Sequence, residues 1–212
     1  MAHQDSQNTQ NTPDVSQAEF WQNRYDNGAT GWDIGKISPP LQAYIDHLVS
    51  KGVDKSAKIL IPGAGNAYEA DYLHQQGFTN VIVVDFAKQP LDNFESNHPD
   101  FPKAHLLQAD FFGLDPTQYQ FDYIIEQTFF CAIDPSRRDE YVQQMAKLLK
   151  PTGELFGVMF DRDFPDGPPF GGSAEEYQQR FERYFTIVTL APCYNSIGPR
   201  NGSELFIRLI KK

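Results

Sequence analysis

An apolar strand that runs straight into a glycine turn, Lys58-Ile-Leu-Ile-Pro-Gly-Ala-Gly-Asn66, sets the strongest limit on what this chain can fold into. A second apolar run, Val81-Ile-Val-Val-Asp85, ends on an acid 22 residues after Gly63. That is the sequence form of a nucleoside-binding βαβ unit. Gly63 and Gly65 let the backbone approach a ligand closely, and an acid at the end of the second strand accepts hydrogen bonds from ribose hydroxyls. An adenosine-type cofactor is therefore expected.

What the turn lacks narrows the choice. Gly63-Ala-Gly65-Asn-Ala-Tyr68 has no third glycine of the kind that packs a dinucleotide fold's helix against its strand. S-adenosylmethionine, which carries no phosphate, fits better than a diphosphate cofactor. No Tyr is followed four residues later by Lys, and no Gly-Lys-Ser/Thr occurs, so short-chain dehydrogenase and P-loop chemistry are disfavoured. Two further acids suit the same cofactor. Asp110 follows the third predicted strand, where a carboxylate accepts from an adenine amino group, and Glu126 ends the fourth, near the cleft.

Around this unit the chain alternates. Strands are predicted at 59–61, 81–84, 105–108, 121–126 and 155–160, with helices at 67–76, 88–96 and 136–149. This order implies a parallel sheet with helices on both faces and the glycine turn at its carboxyl edge. Residues 174–184 read as a helix. Strands at 185–190 and 205–210 have no helix between them, so they form an antiparallel hairpin. Ahead of the sheet, Ser16-Gln-Ala-Glu19 has the form of a capping box that opens a helix carrying Trp21 and Tyr25 on one face. Pro39 and Pro40 open another. The polar stretch 1–14 reads as a disordered tail and 15–212 as one domain with an N-terminal helical cover.

A net charge of −10 argues against nucleic acid and anionic membranes as partners and leaves a small molecule as the expected substrate. Cys131 and Cys193 are too few for a disulfide framework or a metal cluster and read as reduced thiols of a cytoplasmic protein. No apolar run reaches the roughly 20 residues of a membrane span. A monomer is compatible with the sequence, which does not fix the oligomeric state.

Several segments resemble the thiopurine and halide/thiol S-methyltransferase family. They are Phe20-Trp21-Gln-Asn-Arg-Tyr25, Gly31-Trp32-Asp33-Ile-Gly35, Ile61-Pro62-Gly63-Ala-Gly65, Phe129-Phe130-Cys131-Ala132-Ile133-Asp134-Pro135, Lys150-Pro-Thr-Gly153-Glu154, Gly167-Pro168-Pro169-Phe170 and Asn195-Ser-Ile-Gly-Pro-Arg200. The resemblance implies a Rossmann-like class I methyltransferase fold, with a seven-stranded sheet, a reversed last strand and S-adenosylmethionine as cofactor. It also implies that Trp21 and Trp32 line the cofactor pocket, that Gly63 meets the methionine part, Asp85 the ribose, and Asp110 and Phe111 the adenine. Tyr25 stands where relatives carry another aromatic, usually Trp. Glu126-Gln127 replaces the Asp-Tyr that relatives often carry.

Methyl transfer from a sulfonium is an in-line displacement that needs a nucleophile about 3–3.5 Å from the methyl carbon. A thiolate or halide needs little beyond desolvation and aim. No nucleophilic triad and no metal are expected. An aromatic cover of Trp21, Tyr25 and Trp32 attracts a sulfonium and excludes water. Asp33, Phe130, Cys131 and Arg200 are the candidate substrate-side residues. Arg200 would raise the thiolate fraction of an acceptor. Asp33 would take a proton through water, or cap the Lys36–Pro39 turn. Cys131 would be wall rather than nucleophile, because no covalent enzyme intermediate is required. The 164–172 loop is a candidate lid. Two alternatives stay open: the same fold acting on oxygen, nitrogen or a metalloid, and a non-catalytic cofactor-binding module.

Overall fold

The computed structural model describes residues 14–212, so the stretch read as a tail lies outside the described residues except for Asp14. Seven strands, β1 (Lys58–Pro62), β2 (Asn80–Asp85), β3 (Leu106–Gln108), β4 (Phe121–Gln127), β5 (Leu149–Phe160), β6 (Phe185–Pro192) and β7 (Glu204–Lys211), form one sheet in the order β3-β2-β1-β4-β5-β7-β6. Strands β1 to β5 pair in parallel, and β7 runs antiparallel to both β5 and β6. This is the mostly parallel sheet with a reversed last strand that the sequence predicts.

Strand alternation sends side chains to two faces, and each face has its own core. Ile59, Ile61, Val81, Val83, Ile125 and Phe156 pack beneath α2 (Pro39–Ser50), α3 (Tyr68–Gln75) and α4 (Lys88–Asn97). Leu60, Val84, Ile124 and Leu155 pack beneath α5 (Arg138–Leu148) and α6 (Ala174–Phe181). The helix after β1 therefore covers one face and the helix after β4 the other. The two connections diverge at the carboxyl ends of adjacent strands, and a crevice opens there for topological reasons.

Helix α1 (Ala18–Asp26) lies over this edge and contains no fully buried residue. It is docked by polar tethers. Gln22 Oε1 accepts from Lys88 N (2.9 Å) and Gln89 N (3.1 Å), so a side chain of the cover caps the start of α4. The predicted capping box does not form. The Asp14 carboxylate takes both the amide (2.9 Å) and the hydroxyl (2.6 Å) of Ser16, and Gln17 becomes the cap residue without a side-chain bond to the helix backbone. Strand β5 starts at Leu149, six residues earlier than predicted, because Thr152 adopts φ +61° and absorbs the Pro151–Gly153 turn signal within the strand.

Candidate active site

The glycine turn has no room for a side chain. Gly63 and Gly65 sit at φ +56° and +52°, where L side chains are strained. A Cβ on Gly63 would lie 2.2 Å from Cδ2 of Phe129, and one on Gly65 would lie 2.8 Å from the Tyr25 hydroxyl. Asp85, at the end of β2, accepts from Gly65 N (3.0 Å) and Ala87 N (2.9 Å), so the acid and the turn are tied together. Asp110 accepts from Phe112 N (3.0 Å), which sets the turn that carries Phe111. Gly63, Gly65, Asp85, Asp110 and Phe111 all line one cleft of about 420 Å³ at the carboxyl edge of the sheet.

The cover closes this cleft with rings. Trp32 meets Trp21 edge-on at 5.6 Å and Tyr25 at 5.7 Å between centroids, and all three line the cleft. Trp21 Nε1 donates to Val15 O (2.9 Å). Burial, then the nearby Asp85 charge, holds the Tyr25 hydroxyl well above the usual phenol range, so the ring stays neutral. Asp33 ties the cover to the turn: it accepts from Asn66 Nδ2 (2.6 Å), Tyr68 Oη (3.2 Å) and Gly35 N (2.7 Å). Arg200, buried, donates to Trp32 O (2.6 Å) and to Glu204 Oε1 (3.3 Å), and so braces the same loop from the other side. Both side chains line the cleft, and both hold the loop that carries Trp32. Cys131 is also in the wall. Burial pushes its thiol up to about 12, so it is an uncharged surface.

Two predicted site residues are not in this cleft. Glu126 is 1% exposed and turns inward, where its carboxylate accepts from Phe129 N (2.8 Å), Phe130 N (3.0 Å) and the Tyr141 hydroxyl. It shapes the loop after β4 rather than lining the cofactor space. Phe130 is core: its ring packs against Tyr141 (5.2 Å) and Tyr177 (5.4 Å) on the α5 and α6 side. Its neighbour Phe129 faces the cleft instead. Thr128, at φ +58°, breaks the strand alternation, and no side-chain pattern in the sequence announces this.

Other lining residues escaped the sequence reading. Glu69 sits in the first turn of α3, four residues after Gly65, so an acid beside the turn was a usable signal. Phe160, the last residue of the predicted strand 155–160, and Arg162, in the loop just beyond it, carried no such signal. The 164–172 loop is already folded against the cleft. Phe170 N donates to Cys131 O (2.6 Å), Gly172 N to Arg162 O (3.1 Å) and Arg138 Nη2 to Gly171 O (2.7 Å), while Phe164, Pro168 and Pro169 line the wall. Among the described residues no histidine lines the cleft, and no group of His, Cys, Asp and Glu is arranged to hold a metal ion.

Burial raises three carboxyls: Asp85 to about 6, against the amides that favour its charge, and Glu69 and Glu126 each to about 7. Each holds a proton more tightly in the folded chain than in the unfolded one. Between their unfolded and folded values the native state carries more protons, so the stability of the ligand-free protein rises as pH falls from about 7 towards 5. The exposed acids with lowered values, Asp54, Asp115 and Asp134, act in the opposite sense only below about pH 4. The melting temperature without ligand should be higher at about pH 5.5 than at pH 7.5, by roughly 5 °C. Affinity for S-adenosylhomocysteine should move the other way, weakening roughly threefold as Asp85 protonates. An affinity flat across this window would show that an ionised Asp85 is not the acceptor.

Comparison with known proteins fits this geometry. A sequence profile described as Thiopurine S-methyltransferase matches residues 16–204. Relatives include Probable thiol methyltransferase 2 of Arabidopsis thaliana, 34% identical over 87% of this chain and 81% of the relative. Thiocyanate methyltransferase 1 of Brassica oleracea is 28% identical over 91% and 84%. Thiopurine S-methyltransferase of Acinetobacter baylyi is 28% identical over 82% and 88%. Among solved structures, a Burkholderia thailandensis 1,6-didemethyltoxoflavin-N1-methyltransferase superposes with a TM-score of 0.73 at 19% identity, covering 93% of this chain and 88% of that one. A TehB-like S-adenosylmethionine-dependent methyltransferase from Corynebacterium glutamicum gives 0.62 at 20% identity, over 92% and 98%. These two establish the fold.

Proposed function

The chain belongs to the thiopurine S-methyltransferase family, and from that premise we propose how its cleft works. The protein is an S-adenosylmethionine-dependent methyltransferase acting on the sulfur of small thiol-type acceptors. S-adenosylmethionine, when bound, supplies the methyl group: the acceptor's sulfur lone pair forms the new S–C bond while the sulfonium C–S bond breaks and its electron pair stays with the departing thioether.

The observation that carries the assignment of residues is the side-chain-free turn at Gly63 and Gly65, tied through Gly65 N to the Asp85 carboxylate in the wall of the cleft. A bare backbone beside a buried acid suits a ligand that packs against main chain. In this reading Asp85 holds the ribose, Asp110 and Phe111 the adenine, and Gly63 and Gly65 the methionine portion. Trp21, Tyr25 and Trp32 present ring faces and edges above it and keep water from the reacting sulfur. On the acceptor side the wall is Phe129, Cys131 and Phe160, with Arg200 as the buried cation. Part of the Arg200 charge is met by Glu204, so its influence on an acceptor thiol is that of a polarised donor rather than a bare ion. The proton of a neutral thiol leaves to solvent before or during attack. Among the described residues the cleft supplies no histidine base for it, which suits an acceptor already ionised near neutral pH.

The test is direct. Purified protein is incubated with S-adenosylmethionine and a panel of thiols, thiocyanate, sulfide and halides, and S-adenosylhomocysteine is measured together with the methylated product. An S-methyl product is expected. Products methylated only on nitrogen or oxygen, or tight cofactor binding with no turnover on any soft nucleophile, would overturn the reading.

A further inference from the structure

The acceptor side of the cleft has a wall that the methyl-transfer chemistry does not require. Arg200 lies with its guanidinium 5.4 Å from the centroid of Phe160. Phe160 meets Phe164 edge-on at 5.1 Å. Arg162 lies 4.7 Å over Phe164. Cation, ring, ring and cation thus follow one another from the buried interior to the exposed rim, and all four residues line the cleft.

The two arginines differ in what they have left to give. Arg200 gives one Nη2 donor to Trp32 O and one Nη1 donor to Glu204, which also pairs with its charge. Arg162 enters no ion pair among the described residues. The nearby acids of the same loop, Asp161, Asp163 and Asp166, do not pair with it, and Asp161 instead accepts from Ala174 N (3.3 Å). The Arg162 backbone is fixed, since its carbonyl accepts from Gly172 N (3.1 Å) across an isolated antiparallel bridge. A guanidinium held over a ring and outside any ion pair keeps N–H donors for a ligand, in the fork geometry that matches a carboxylate or sulfonate. A chain with net charge −10 repels anions at long range, so admitting one takes a local cation of this kind.

We propose that Arg162, with the Phe160–Phe164 wall, forms an anion-recognition subsite, selecting acceptors that carry a second, anionic group remote from the reacting sulfur. Such an acceptor has a soft nucleophile at the inner end, a flat or apolar body against the two phenyl rings, and a carboxylate or sulfonate at the rim. Small inorganic anions have nothing to place there. The inference takes the position of the reacting sulfur from the function proposed above, but the anchor itself rests on the wall.

The probes are 4-mercaptobenzoate and its methyl ester as acceptors, and the matching S-methyl compounds as ligands for the full chain saturated with S-adenosylhomocysteine. Calorimetry is expected to give the carboxylate a dissociation constant roughly tenfold lower than the ester, and kcat/KM should show the same preference. In R162Q the preference should collapse to within about twofold. R162K should keep part of it, and R183Q, an exposed arginine outside the cleft, should keep all of it. Added salt should erode the preference in the wild type and not in R162Q. Equal discrimination by wild type and R162Q, or none by either, overturns the subsite. Carboxylate binding that depends on Arg162 without any turnover supports the subsite and removes the methyl-transfer reading. Turnover without discrimination does the reverse.

Discussion

Replacing Asp85 by Asn is expected to weaken S-adenosylhomocysteine binding roughly 10- to 100-fold while leaving the ligand-free protein at least as stable at neutral pH. The two effects have one cause. The carboxylate is 7% exposed and accepts from Gly65 N and Ala87 N, yet burial still raises its pKa to about 6. Its charge is therefore unfavourable in the empty fold and is kept for what it can accept. Asn preserves the shape and one acceptor but turns an N–H group towards donors. The charge-assisted bonds to a ribose are lost, each worth about 1.5–3 kcal/mol. Asp85→Ala should weaken binding further, and it should also lower the melting temperature, because two amides lose their acceptor. Calorimetric titration beside thermal melts separates these outcomes. Binding by D85N within threefold of the parent would sink the ribose assignment.

This acid was legible from sequence because two independent constraints meet on it. The strand pattern Val81–Val84 fixes where the chain emerges, and the distance from Gly63 fixes what it faces. The reversed end of the sheet was legible for a similarly mechanical reason, the lack of an α-helix between residues 190 and 205. The loop after β4 was not. A pair such as Phe129-Phe130 sends one ring to the cleft and the other to the core, and which goes where depends on the positive φ of Thr128 and on Glu126 gathering two amides from below. These are tertiary choices with no periodic signal. Arg162 was hidden for a related reason: loop residues are positioned by single hydrogen bonds to distant partners, here Gly172. Glu69 was available and overlooked, an acid in the first helical turn after the glycines.

Gly63→Ala is the second substitution with a large expected effect. Alanine at φ +56° costs about 1 kcal/mol in backbone strain. The greater penalty is steric. The new methyl would lie 2.2 Å from Phe129, whose ring is held between Phe111 (5.3 Å) and Tyr141 (5.8 Å) and has no free direction except into the cleft. Overpacking of this kind costs roughly 1–3 kcal/mol. Affinity for S-adenosylhomocysteine should fall by about 100-fold or more, with a clear drop in melting temperature. Gly65→Ala should be milder, since the atom it meets, the Tyr25 hydroxyl at 2.8 Å, is the tip of a side chain that can swing aside. The ordering of the two variants is the diagnostic: equal losses would mean that backbone conformation, not occupied volume, is what the turn protects.

Helix α1 has a consequence for traffic through the cleft. Because it buries no residue completely and hangs from Gln22, Asp33 and the backbone of Trp32, it can swing away at the cost of a few hydrogen bonds while both cores stay intact. Amide exchange over residues 18–26 should accordingly be fast and independent of global unfolding, unlike that of β1, and should slow when product is bound. A door hinged this lightly would let the spent nucleoside leave readily, so that opening need not be the slow event of each cycle.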